Sequence, residues 1–255
     1  MSGPAATHRV PAWRVALAWA VHAYTGSGLL LAAWMIAILV QETRAVDDYR
    51  FCFLLMFVAT FIDATDGTLA RLVRVGEATP HFDGRKLDDL VDFVLYTCVP
   101  LLLIDRAGIL PVGYRWVILL PLAASAYGFS QTDAKTADGA FVGFPSYWNI
   151  VAFYLYALPV TGERAVLIIA ALAALTFVPS RYPYPTRPGV VNRMMLVLSI
   201  PWAVLVFFCV IRHWPYYPPR GMIGLSAGYP TLYLVVAWGT SAWRWSQNPA
   251  GHRVQ

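Results

Sequence analysis

The chain is a succession of apolar runs, each closed by a short polar break, and that pattern leaves few folds open to it. A helix needs roughly 20 apolar residues to cross a bilayer, with about 17–25 the working range. Runs that meet or approach this length lie near 24–40, 51–73, 86–104, 114–131, 146–160, 163–179, 191–211 and 227–243. Only 13% of the 255 residues are charged and 58% are hydrophobic, whereas a soluble domain carries about 25% charged residues. The expected fold is therefore an all-α integral membrane protein with about eight transmembrane helices. The range is six to eight, because the runs at 146–160 and 163–179 are short and parted only by TGER.

Before the first run, PAWRVALAWAVHAY (11–24) mixes Trp13, Arg14, Trp19 and His22 with alanines. It reads as an N-terminal amphipathic helix lying in the interface, broken from the first span at Thr25-Gly26-Ser27-Gly28. The expected division is an interfacial segment over 1–23, one membrane domain over 24–245 and a cytoplasmic tail over 246–255. Residues 1–14 hold Pro, His and Arg with no small-residue cut site, so no cleavable leader is expected. The net charge of +5 is scattered between apolar runs, which points to loop anchors and not to nucleic acid. With eight spans, one side of the bilayer carries twelve Lys and Arg residues and the other seven. The positive-inside rule then puts both termini, and the loop after Arg71, in the cytoplasm. Cys52, Cys98 and Cys209 show no metal-ligand spacing and read as small packing residues.

Against this background the acids of FIDATDGTLARLVR (61–74) and DGRKLDDLVDF (83–93) stand out. Asp63 and Asp66 are spaced i,i+3, and Asp88 and Asp92 i,i+4, so each pair shares a helix face. Consecutive antiparallel helices joined by a short turn would bring all four carboxylates together. Such a cluster inside a membrane is untenable unless cations or protons neutralise it. An all-oxygen donor set favours Mg²⁺ or Mn²⁺ over Zn²⁺, and two such ions suit phosphoryl displacement. Gly67 and Ala70 are small enough for a nucleotide to approach, and Arg71 can pair with phosphate. Asp83 reads as a turn residue before Gly84, and Asp89 lies off the Asp88/Asp92 face.

Asp63-x2-Asp66-Gly67-x2-Ala70-Arg71, then twelve residues, then Gly84-x3-Asp88-x3-Asp92, resembles the signature of the CDP-alcohol phosphotransferase family. The longer gap before Gly84, together with GFPSYWN at 143–149, looks like the bacterial branch that joins CDP-diacylglycerol to free choline. The resemblance implies that Asp63, Asp66, Asp88 and Asp92 hold a pair of Mn²⁺ or Mg²⁺ ions. It further implies that Asp92 is the general base on the choline hydroxyl. Gly67, Ala70, Arg71 and Gly84 would shape and charge the pocket for the CDP-lipid, Asp63 and Asp66 bordering it. It implies reaction at the cytoplasmic face of the bacterial inner membrane, in a homodimer.

Choline is a permanent cation without a donor on nitrogen, so aromatic faces should recognise it. Tyr127, Phe144, Tyr147 and Trp148 are candidates for such a cage, with Asn149 as a polar neighbour needing a partner or a task. Lys135, in the polar stretch before them, could meet a lipid phosphate. Two alternatives remain open from the residues: another acceptor (serine, inositol or glycerol 3-phosphate), or a cation transporter with buried aspartates.

Overall fold

The computed structural model describes residues 10–131, 140–184, 189–212 and 220–247. The first helix, α1 (Ala12–Leu39), runs unbroken for 28 residues. The expected separate interfacial helix is thus the beginning of the first span, and Thr25-Gly26-Ser27-Gly28 does not interrupt it. In a bilayer there is no water to take up freed backbone groups, so Gly and Ser stay helical where they would fray in solution. Ser27 Oγ also donates to Tyr24 O at 2.6 Å. The buried positions of α1 form one stripe along the helix: Ala18, Val21, His22, Thr25, Gly28, Ala32, Met35, Ile38 and Leu39. The small residues in it, Ala18, Thr25, Gly28 and Ala32, let other helices come close.

Helix α2 (Val46–Val73) starts where the Asp48 carboxylate accepts the Ala45 N–H at 2.7 Å. It ends at Arg74, whose φ of 55° is left-handed and turns the chain into a single-turn helix, α3 (Val75–Ala78). Val75 and Ala78 pack against Ala18 and Val21 of α1. Helix α4 (Gly84–Phe93) is then N-capped by Asp83, which accepts from the backbone of Arg85 and Lys86 at 3.1 and 3.4 Å. Asp83 is the turn residue expected of it, with a capping task added.

From α4 the helix widens into a π-turn over Val94–Cys98 and continues as α5 (Val99–Arg106). Pro100 has no N–H to give to the preceding turn, and one wider turn accommodates it. A 3₁₀ stretch (Val112–Ile118) leads into α6 (Leu119–Ser130). Beyond it come α7 (Trp148–Ala157), α8 (Glu163–Leu175), α9 (Val190–Arg212) and α10 (Arg220–Gln247). Two three-residue strands, β1 (Ala140–Val142) and β2 (Arg181–Pro183), pair antiparallel and dock on α10, where Tyr233 Oη donates to Pro183 O at 2.9 Å.

Among the described residues, four helices are individually long and apolar enough to cross a membrane: Ala12–Leu39, Val46–Val73, Val190–Ile211 and Gly221–Gln247. Helices α7 and α8, with 10 and 13 residues, reach only about 15 and 20 Å at 1.5 Å per residue. That is short of a hydrocarbon core of about 30 Å, so the runs at 146–160 and 163–179 do not form spanning helices by themselves. The outer surface is that of a protein in lipid. Leu30, Leu72, Leu167 and Leu225 are each at least 69% exposed, an apolar exposure that water would penalise. Cys52 and Cys209 are buried and all three cysteines are free thiols, in keeping with a packing role.

Candidate active site

The acids come from the later part of α2 and from the middle and end of α4, the two limbs of a hairpin whose turn is built by Arg74, α3 and Asp83. Asp63, Asp88 and Asp92 each place a carboxylate oxygen within 4.8 Å of the others, all three half-buried. This is the grouping that the i,i+3 and i,i+4 spacings predict, with one difference. Asp66 stands outside the tight trio, buried against α1, and accepts from Thr25 Oγ1 at 2.7 Å. Asp89 is exposed, off the face of Asp88 and Asp92.

Two hydroxyls at this site escape a reading of the acids alone. Tyr96 donates to Asp63 Oδ2 at 2.8 Å, and its signal was present as the i+4 successor of Asp92. The π-turn that carries Tyr96 starts two residues after Asp92. Thr25 gave no such signal, lying within a Gly/Ser tract that resembles a helix break.

The small residues of the motif divide into two kinds. A Cβ on Gly84 would come within 2.8 Å of His22 Cε1, so Gly84 is required by the close passage of α1. A Cβ on Gly67 would meet only Arg71 Nη1, at an ordinary 3.5 Å. Packing within the chain therefore does not demand a glycine at 67. Arg71 folds back over Gly67, donating to Thr68 Oγ1 at 3.0 Å, and is otherwise solvent-facing. Ala70 packs partly against the small cluster of α1 and α3 residues.

The five residues proposed around a choline cation are not gathered in one place. Trp148 is fully buried and its Nε1 donates to Ser125 Oγ at 2.9 Å, while Phe144 packs on Trp148 and Tyr182. Tyr127 is exposed beside Phe177, 5.0 Å between ring centroids. Asn149 is half-buried, and among the described residues its Oδ1 has no hydrogen-bond partner. Tyr147 is half-buried, its ring 6.1 Å from that of Tyr233. It also lines, with Phe144, Tyr154, Trp202, Tyr229 and Tyr233, an almost wholly apolar cavity of about 360 Å³ between α7, α8, α9 and α10. Lys135 lies outside the described residues.

Comparison with known proteins finds several phosphatidylcholine synthases similar to this chain. A phosphatidylcholine synthase of Legionella pneumophila is 35% identical over 231 residues, covering 86% of this chain and 87% of the relative. One of Bradyrhizobium diazoefficiens is 37% identical over 201 residues, 78% of this chain and 72% of the relative. One of Pseudomonas aeruginosa is 34% identical over 190 residues, 74% and 78% respectively. No family model matches the chain. No solved structure matches it.

Proposed function

The chain belongs to the phosphatidylcholine synthase family, and on that premise we propose that its carboxylate cluster is where a phosphatidyl group passes from CDP-diacylglycerol to choline, with release of CMP. The observation that carries this reading is the approach of Asp63, Asp88 and Asp92 within 4.8 Å at the end of a membrane hairpin. Three adjacent acids in an apolar surround call for a cation, and oxygen donors alone suit a hard divalent ion, Mn²⁺ or Mg²⁺. Asp63, Asp66, Asp88 and Asp92 would hold a pair of them. When bound, the ions would offset the charge of the diphosphate and of the leaving CMP.

The chain's own groups do the remainder. Asp92 takes the proton of the choline hydroxyl, and the freed oxygen forms a bond to the phosphorus that bears diacylglycerol. The bond from that phosphorus to the bridging oxygen breaks, and its electron pair leaves with CMP. Tyr96 fixes one oxygen of Asp63. At Gly67, where a Cβ would meet the end of the Arg71 side chain, the diphosphate would come within reach of that guanidinium. Because the leaving group is a nucleoside phosphate, positioning and charge neutralisation supply most of what catalysis needs. The excess of Lys and Arg on one side supports both termini and the site lying at the cytoplasmic face of a bacterial inner membrane. The resemblance to CDP-alcohol phosphotransferases supports a homodimer.

The test is a transfer assay on detergent-purified protein with CDP-diacylglycerol, Mn²⁺ and labelled choline, serine, inositol or glycerol 3-phosphate in separate reactions. Lipid label is expected from choline alone, and a chelator should abolish it. Label from a different alcohol would keep the chemistry and discard choline. Label that persists in chelator would remove the metal from the mechanism.

The aromatic residues can be separated in the same assay. Trp148→Phe loses a buried hydrogen bond to Ser125 and should cost about 1–3 kcal/mol of stability while leaving the KM for choline unchanged. Tyr147→Leu should raise that KM by roughly tenfold, through loss of an aromatic face for the cation. An equal rise for Trp148→Phe would show that Trp148 reaches the substrate after all.

A further inference from the structure

We infer that Thr25 of α1 is a positioning residue for the metal site, holding the Asp66 carboxylate in the orientation in which it ligates a divalent cation; this rests on the metal reading given above. The first observation is what Thr25 does not do. A threonine inside a helix ordinarily returns its hydroxyl to the carbonyl four residues back. Thr60, Thr65, Thr231 and Thr240 all do so here, to Met56, Phe61, Ala227 and Val236, at 2.8–2.9 Å. Thr25 Oγ1 instead crosses between helices to Asp66 Oδ2 at 2.7 Å, with both side chains buried. A hydroxyl given to a carboxylate at that distance is a charge-assisted bond. It engages Oδ2, so the carboxylate can offer its other oxygen to a cation.

The second observation is that α1 is tied to the acidic hairpin at three successive levels of one face. One turn before Thr25, His22 Nε2 pairs with Thr79 Oγ1 at 3.0 Å, and its ring lies so near Gly84 that a Cβ there would stand 2.8 Å from Cε1. One turn after it, a Cβ on Gly28 would stand 2.6 Å from Val91 Cγ1, so α1 runs directly against the helix of Asp88 and Asp92. Beside Thr25, Tyr24 Oη pairs with Thr65 Oγ1 at 2.9 Å. The height of Thr25 relative to Asp66 is therefore set by contacts on both sides of it. Partners that orient a ligand in this way commonly matter to metal affinity by about 10–100-fold.

The test titrates purified protein with Mn²⁺ alone and counts free ion by electron paramagnetic resonance, with no substrate present. Thr25→Val has nearly the shape of threonine but no hydroxyl, and should weaken Mn²⁺ binding by about tenfold. Thr25→Ser restores the donor and should bind within about twofold of the unaltered protein. In an Asp66→Asn background, Thr25→Val should cause no additional loss, because the two residues act as one unit. If the valine variant does not accumulate, Thr25→Ala against Thr25→Ser gives the same comparison. Unchanged Mn²⁺ affinity in Thr25→Val, or an equal loss with and without Asp66, would overturn the inference while leaving the metal site standing. No Mn²⁺ binding by the unaltered protein would overturn both.

Discussion

Asp92→Asn is expected to reduce phosphatidyl transfer by roughly 10³-fold, within the range for loss of a general base, while the protein still binds CDP-diacylglycerol. Asparagine matches aspartate in shape, so the packing of α4 against α1 is preserved. It cannot accept the proton of the choline hydroxyl. Unequal effects on the two substrates are the informative part of the result. Asp92 is half-buried beside Asp63 and Asp88, so it can serve as a ligand, as a base, or as both. A base alone leaves Mn²⁺ and CDP-lipid affinity close to normal and removes only turnover. A ligand alone loses Mn²⁺ affinity, and added Mn²⁺ restores the rate. Measured by single-turnover release of labelled CMP, a rate above a tenth of normal would remove Asp92 from the role of base.

The second large effect is on stability and falls far along the chain from the acids. Gly143 has a φ of +83°, and a Cβ there would lie 2.2 Å from the carbonyl oxygen of Thr176. Nothing at that contact can yield cheaply. Gly143 N–H donates to Ser180 O at 2.9 Å, and Phe144 N–H to Leu175 O at 3.2 Å, so the backbone is pinned on both sides. Gly143→Ala should cost on the order of 3 kcal/mol, combining left-handed strain with overlap. Gly162 is the control, with a φ of +69° but no atom within 4 Å of its would-be Cβ. Alanine there should cost about 1–2 kcal/mol, from the backbone strain alone. Thermal unfolding in detergent checks both. Equal losses would show that the approach to Thr176 is not what Gly143 is for.

The acid pairs were legible because spacing on a helix is a local property: i,i+3 and i,i+4 place side chains on one face whatever the neighbours are. The Asp83 turn was legible for the same reason. The role of Thr25 was hidden because Thr-Gly-Ser-Gly is a breaker only where water can take the backbone bonds. The aromatic residues were ambiguous for a different cause. A chain with 10 Trp, 14 Tyr and 13 Phe has cores and belts built from the same side chains, and neither has a period that marks it. Thus Trp148, offered as a ligand face, is among the largest fully buried side chains. The π-turn around Tyr96 follows from Pro100, but a proline in an apolar run announces a disturbance without saying which kind. The shortness of α7 and α8 was only hinted at by TGER, since hydropathy records what lipid tolerates and not where a helix ends.

The hairpin acids, with the two hydroxyls that hold them, Thr25 and Tyr96, all fall within the first 96 residues. A chain made from its N-terminus therefore presents α1, α2 and α4 to the membrane while α9 and α10 are still to be synthesised. Unpaired acids are among the costliest side chains to lodge in a bilayer. Because α1 comes first, Asp66 finds its donor already threaded beside it. The order of the helices along the chain thus sets the donor to Asp66 ahead of the carboxylate it holds.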